Sequence, residues 1–142
     1  MSIWRNLKTL EEINAPSATL ISHLGIRVIE IGPDFLRGTM PVDARTVQPY
    51  GLLHGGASVA LAESLGSAAA AMCVDGEYQV VGQEINANHV RAARSGLVTG
   101  TAKAVHIGGR TQVWSIDIVN DSGKLVCISR LTMAVIKRGA LS

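Results

Sequence analysis

The sequence predicts an α+β fold in which one long central helix is wrapped by an antiparallel sheet of five to six strands. Three observations carry that expectation. Residues 55–74 form a single run that is small or apolar on every face, so this helix cannot lie on a sheet with one side in water and must be surrounded. Two stretches before it and four after it read as strands, enough for a twisted sheet to curl around one helix. Hydrophobic residues make up 47% of the 142, yet aromatics only 4%, with 15 glycines. A core of small and branched aliphatics lets strands approach a helix axis without voids.

Taken in order, residues 7–14 and 17–23 read as short helical pieces, with Pro16 ending the first and Ser17 capping the second. Residues 25–31 are a strand, Gly32-Pro33-Asp34 a turn and residues 35–42 a second strand, giving a hairpin. A loop at 43–53, with Pro49 in it, leads into the long helix, which Asp75 and Gly76 stop. Beyond them the period changes to two, with strands at 79–90, 96–107, 111–119 and 124–136. The connections Arg94-Ser95-Gly96, Gly108-Gly109 and Asn120-Asp121-Ser122-Gly123 are short, which predicts antiparallel hairpins. No repeat, linker or low-complexity stretch divides the chain, so one domain is expected over residues 1–142.

Several function classes are disfavoured. Charged residues are 17% with a net charge of +2, which is neither a disordered composition nor the basic excess of a nucleic-acid binder. The first residues lack a secretory pattern, and the last match no lipidation or retention signal. Cys73 and Cys127 sit in apolar segments without metal-ligand spacing and are expected to be reduced core thiols of a cytoplasmic protein. The central run is long enough to span a membrane. However, it is built of Ala, Gly and Ser and carries Glu63 near its middle, which is costly in lipid. Nucleophile-elbow, P-loop, zincin and dinucleotide-binding motifs are missing.

The chemistry gathers at the start of the long helix. In Gln48-Pro49-Tyr50-Gly51-Leu52-Leu53-His54-Gly55-Gly56-Ala57, two glycines at a helix N-terminus leave backbone N–H groups bare and approachable. Those groups lie at the positive end of the helix dipole, where negative charge can develop on an oxyanion. Glu63 is the only charge between His54 and Asp75. An unpaired carboxylate on a buried helix is expensive and marks a site; the structural alternative is a Glu reaching solvent or pairing with an Arg at an interface. Ser67 lies one turn further on the same face and can orient it. Gly55 and Glu63 are separated by about 12 Å along the axis, at ~1.5 Å per residue. One helix therefore cannot bring both to one carbonyl, but two copies packed antiparallel across a two-fold axis can. The helix face left over by the sheet calls for the same dimer.

The run His54-Gly55-Gly56-Ala57 followed by Glu63 and Ser67, with Gln48 ahead of it, resembles the hotdog-fold acyl-CoA thioesterases. It is most similar to the branch of the 4-hydroxybenzoyl-CoA and 1,4-dihydroxy-2-naphthoyl-CoA thioesterases and the proofreading thioesterase of enterobactin synthesis. The likeness covers nearly the whole chain in length and element order. It implies a hotdog fold and thioester hydrolysis. Glu63 would be nucleophile or general base and the Gly55 N–H would polarise the thioester carbonyl. Gln48 would contact the acyl carbonyl region, His54 would assist near the thioester, and Ser67 would assist the carboxylate or its water. Gly82, His89, Val90, Arg91, Gly108, Gly109 and Arg110 resemble the family's positions for pantetheine and the CoA nucleotide. On physical grounds Gly82 can let a thin chain run along a strand, and Arg91, Arg94 and Arg110 can hold phosphates. His89 can equally be a structural hydrogen-bonder; His23 and His106 are read as structural. Ser64, Ser67, Ala68 and Ala71, with the branch resemblance, lean towards an aromatic acyl group lying along the helix, a medium aliphatic chain being the alternative. The implied substrate is an acyl-CoA, with an acyl or aryl carrier protein as a further candidate. No cofactor is expected, coenzyme A being part of the substrate, and the implied assembly is a homotetramer built as a dimer of dimers. The competing readings are a hydratase or dehydratase on the same fold, or a non-catalytic CoA-binding protein.

Overall fold

The computed structural model describes residues 1–141. Its elements are α1 (Leu10–Ile13), α2 (Leu20–His23), β1 (Arg27–Ile31), β2 (Phe35–Pro41), α3 (Gly55–Met72), β3 (Tyr78–His89), β4 (Leu97–Ile107), β5 (Thr111–Val119) and β6 (Leu125–Lys137). The strands form one six-stranded sheet in the order β1-β2-β4-β5-β6-β3, with every neighbouring pair antiparallel. The sheet curls around α3, whose Leu61, Ala62, Leu65, Ala69 and Ala70 are fully buried.

Glycine works on both sides of this contact. Leu65 fills the space where a Cβ on Gly38 of β2 or Gly100 of β4 would sit, 2.5 and 2.7 Å from those positions. On the helix, a Cβ on Gly66 would lie 2.5 Å from Leu131 of β6. Close approach of helix to sheet thus needs bare backbone in strands as well as small residues in the helix.

The far end of α3 is closed by the N-terminal segment. Arg5 and Asn6 each donate their N–H to the Met72 carbonyl at 2.9 Å, satisfying an orphan acceptor of the last helical turn. Trp4 stacks on the buried Trp114 with ring centroids 6.4 Å apart. Trp114 donates Nε1–H to Gln112 (2.9 Å), which in turn donates to the Ala70 carbonyl (3.4 Å).

Three expectations are corrected. The first helix is a single turn started by a Thr9–Glu12 capping box, a short-range signal outweighed in the sequence by the apolar spacing around it. In the second, Thr19 rather than Ser17 holds the N-cap position and makes no side-chain cap hydrogen bond; the Ser17 hydroxyl is engaged with the Thr19 and Ser22 hydroxyls. The third correction is topological. β3 and β4 do not form a hairpin: α3 carries the chain across the sheet to its far edge, where β3 pairs with β6. The segment after His89 then crosses the end of the sheet so that β4 can pair with β2 and β5.

Two surfaces stay open. Gly56, Ala60, Glu63, Ser64, Ser67, Ala68 and Ala71 make a partly exposed stripe along α3, at the spacing of one helix face. β3 is an edge strand, and its long side away from β6 has no partner among the described residues. No helix among the described residues is long and apolar enough to cross a membrane.

Candidate active site

The loop before α3 is built to present Gln48. Val47 and Leu53 bridge its two sides. The Gln48 N–H donates to the Leu52 carbonyl at 2.8 Å, and its carbonyl accepts from Gly51 N–H at 2.9 Å. Gly51 turns the chain at φ +81°, a conformation that other residues resist. The Gln48 Oε1 accepts the Tyr50 N–H, so the Nε2 hydrogens are what this side chain can offer a substrate.

His54 is the N-cap of α3, with φ −67° and ψ 131°. Its N–H donates to the Thr46 carbonyl (2.8 Å), and its own carbonyl accepts from Ala57 (3.0 Å) and Ser58 (3.2 Å). Its Nδ1 accepts the Gly56 N–H at 2.8 Å. Of the two glycine N–H groups expected to be bare, Gly56's is therefore occupied. The extended conformation of His54 folds its ring back over the first turn, as Asn or Asp does at an N-cap. The Gly55 N–H has no partner among the described residues.

Gly55 opens on a cleft of about 420 Å³ that also takes in Gln48, Ser58, His89, Val90 and Arg91. Five residues expected at the site are thus brought together. The His89 ring lies over Gly55, its Nε2 2.8 Å from where a Cβ would be. The N–H groups of Val90 (2.9 Å) and Arg91 (3.3 Å) share the Val126 carbonyl, and Arg91 Nε donates to the Leu125 carbonyl at 3.3 Å. Sequence reasoning missed Ser58, which is buried and lines the cleft. It lies three residues past Gly55, on the same helix face, and a helical count from Gly55 would have found it.

Glu63 stands two turns further along α3, half-buried on the open stripe. It forms no hydrogen bond or ion pair among the described residues. Its Oε2 occupies the place a Cβ on Gly82 would take, and the pairing of β3 with β6 slips register between Gly82 and Glu84. Within one subunit the Glu63 carboxylate therefore rests against the bare backbone of Gly82. Bulges of this kind re-aim groups beside active sites. Gly82→Ala should push the carboxylate aside and lower kcat by about 10- to 10²-fold, with KM and melting temperature little changed. A raised KM with unchanged kcat in steady-state assays would instead assign Gly82 to the substrate arm.

The remaining residues are placed as follows. The Ser67 hydroxyl is directed to Met133 Sδ at 3.7 Å rather than to Glu63. Ser64 and Ala68 lie beside it on the stripe. Gly108 and Gly109 line a second cavity of about 380 Å³ with Arg5, Cys73, Asp75 and Tyr78. The Arg110 carbonyl accepts from Val135 N–H at 2.8 Å. That cavity lies at the C-terminal end of α3, about 27 Å from its start at ~1.5 Å per residue. Within one chain, then, the two expected CoA-binding groups are at opposite ends of the helix. Burial pushes the Cys73 thiol up to about 11, with Arg5 opposing the shift, and raises that of Cys127. Both are free and buried. No group of metal-ligating side chains occurs among the described residues.

Residues 50–127 match the family described as the thioesterase superfamily. The chain is 56% identical over 135 residues to 1,4-dihydroxy-2-naphthoyl-CoA hydrolase of Escherichia coli (strain K12), covering 94% of this chain and 99% of that one. It is 50% identical to the proofreading thioesterase EntH of Cronobacter turicensis, covering 94% and 98%. A thioesterase of Pseudomonas aeruginosa, solved as a glutamine-to-alanine variant, superposes with a TM-score of 0.94 at 52% identity, covering 96% and 99%. A Staphylococcus aureus protein was solved as a glutamate-to-alanine variant (TM-score 0.81, 37% identity, covering 84% and 99%) and as a glutamine-to-alanine variant (0.79, 37%, covering 82% and 97%). Together with a six-stranded sheet wrapped on one helix, these likenesses make the chain a hotdog-fold thioester hydrolase that belongs to the thioesterase superfamily.

Proposed function

We propose that the protein hydrolyses acyl-CoA thioesters in a site shared across a two-fold dimer, with the acyl carbonyl on the Gly55 N–H of one subunit and Glu63 supplied by the other. The observation that carries this reading is the split site. The one open N–H of the first turn of α3 and the one unpaired carboxylate of the helix lie on the same element, too far apart to act on one carbonyl.

The edge strand supports the pairing. Gly55 packs under His89, and Glu63 packs over Gly82, both on β3. Antiparallel pairing of β3 with a second copy's β3, centred near Ile85 and Asn86, would set each Gly82 opposite the other copy's His89. Glu63 would then stand beside Gly55 of the second copy, and the reverse. Such a pairing closes an open sheet edge and covers the small-residue stripe of α3. It also brings the Gly108–Gly109 cavity of one copy beside Arg91 of the other, forming one groove for the nucleotide and pantetheine. In the Staphylococcus aureus protein, the substituted glutamine and glutamate are separated by the same number of residues as Gln48 and Glu63.

In this site the Gly55 N–H and the α3 dipole stabilise the charge that develops on the carbonyl oxygen, and Gln48 Nε2–H donates beside it. Glu63 either attacks the carbonyl carbon, giving a mixed anhydride that water opens, or takes a proton from the attacking water. The carbon–sulfur bond breaks and the thiol of coenzyme A leaves with a proton. No cofactor is invoked, since coenzyme A enters with the substrate. The small residues Ser64 and Ala68, together with the naphthoyl substrate in the Escherichia coli relative's name, favour an aromatic acyl group.

Release of free thiol from a panel of aryl and alkyl CoA esters, and from the same acyl groups on a carrier protein, tests this. The protein's own thiols will not interfere, since both are buried and Cys73 is held near 11. Aryl-CoA esters should give the highest kcat/KM, and sedimentation at assay concentration should show a dimer or tetramer. A preference for alkyl esters overturns the acyl assignment, and a fully active monomer overturns the shared site.

A further inference from the structure

We infer that His54 acts as a positioning residue through the helix cap: its Nδ1 holds the Gly56 N–H, so that Gly55 alone presents an open donor to the carbonyl. This rests on the reading above that Gly55 polarises the thioester.

A helix that opens with two glycines is poorly held by its own backbone, because glycine restricts neither φ nor ψ. The Gly55–Gly56 start would fray, and a carbonyl could settle on either N–H. The bond from Gly56 N–H to His54 Nδ1 at 2.8 Å removes that freedom. The backbone that carries the ring is itself anchored. His54 N–H is bound to the carbonyl of Thr46, a buried residue whose hydroxyl donates to the Pro41 carbonyl at 2.7 Å and accepts the Asp43 N–H at 3.1 Å. A buried turn, the His54 backbone and ring, and the Gly56 N–H are therefore linked in series, and the link ends one residue from the catalytic donor Gly55.

The bond also sets the state of the ring. An Nδ1 that accepts a hydrogen bond carries no proton, so the neutral ring is protonated on Nε2. While that bond stands, Nδ1 has no free lone pair with which to take a proton from water; the Asn variant below separates the cap from any contact made by Nε2–H.

The test compares His54→Ala with His54→Asn, which has no imidazole but is among the strongest N-caps. Alanine should lower kcat by about 10- to 10²-fold, part of the cost of losing an oxyanion donor, with KM nearly unchanged. Asparagine should restore kcat to within about 3-fold of the native enzyme. Gly56 amide exchange, followed by NMR, should be slow in the native protein and in the Asn variant and fast in the Ala variant, and the ¹⁵N shifts of His54 should report an unprotonated Nδ1. An Asn variant with a protected Gly56 amide but a rate more than about 10-fold down would overturn the proposal, even if the Ala variant does not fold, because the imidazole itself would then be needed. A Gly56 amide exchanging as fast in the native protein as in the Ala variant would overturn it too. If instead removal of the Gly55 N–H leaves the rate intact, the reading of Gly55 fails while amide exchange still reports the cap.

Discussion

Glu63→Gln should lower kcat by about 10²–10⁴-fold, the range that a positioned acid–base group or nucleophile supplies, while KM for acyl-CoA stays within a few-fold. Glutamine has the size of glutamate, so the side chain can still lie over Gly82; what disappears is the charge, and with it the carboxylate's ability to attack the carbonyl carbon or take a proton from water. The melting temperature should hold or rise. Glu63 is half-buried with no partner among the described residues, and exchanging an uncompensated carboxylate for a neutral amide relieves a desolvation cost. Loss of activity with retained or increased stability is the pattern of a residue kept for chemistry. Near-normal turnover, or a marked drop in melting temperature, would assign Glu63 to structure instead.

Gly55→Pro should cost about 10²–10³-fold in kcat, the effect of removing one oxyanion donor. Proline deletes the N–H and little else at this position. It is favoured as the first residue of a helix, and the extended ψ of 131° at His54 is the conformation that a residue before proline prefers. The ring would press on His89, whose Nε2 is 2.8 Å from the Cβ position. Gly55→Ala exerts the same pressure but retains the N–H, so Ala should remain far more active than Pro; equal activity would remove Gly55 from the mechanism. Combining the two inactive variants in trans tests the sharing of the site. In a mixed dimer of Glu63→Gln and Gly55→Pro subunits, one site carries both changes and the other carries neither. Random exchange of equal amounts should recover about a quarter of native activity. No recovery in exchanged mixtures would mean that each subunit works alone.

Much of the fold was legible because its signals are local. The alternation in residues 111–119 reappears as β5 with the same bounds, since a strand's period is written in consecutive side chains. The wrapping of α3 followed from a run with no polar face. Glu63 was legible for a related reason: one charge in an apolar run is conspicuous without knowing its neighbours. The short helices were read less well, because their starts are set by side-chain bonds that apolar spacing does not reveal: a capping box between Thr9 and Glu12, and a Ser17 hydroxyl that bonds other hydroxyls.

By itself, then, the sequence determined the element types and their order, the helix start with its two glycines, and the lone carboxylate, all of which depend on residues within a few turns of one another. Only the tertiary structure decided that β3 leaves β4 for the far edge, that Gly82 lies beneath the Glu63 carboxylate, that Gly108 and Arg91 sit at opposite ends of α3, and that His54 takes one of the two glycine N–H groups for itself. These depend on which strands pair and where a side chain's acceptor points. Such choices are settled by burying the sheet-facing sides of the helix and satisfying the buried polar groups together, and no local window contains them.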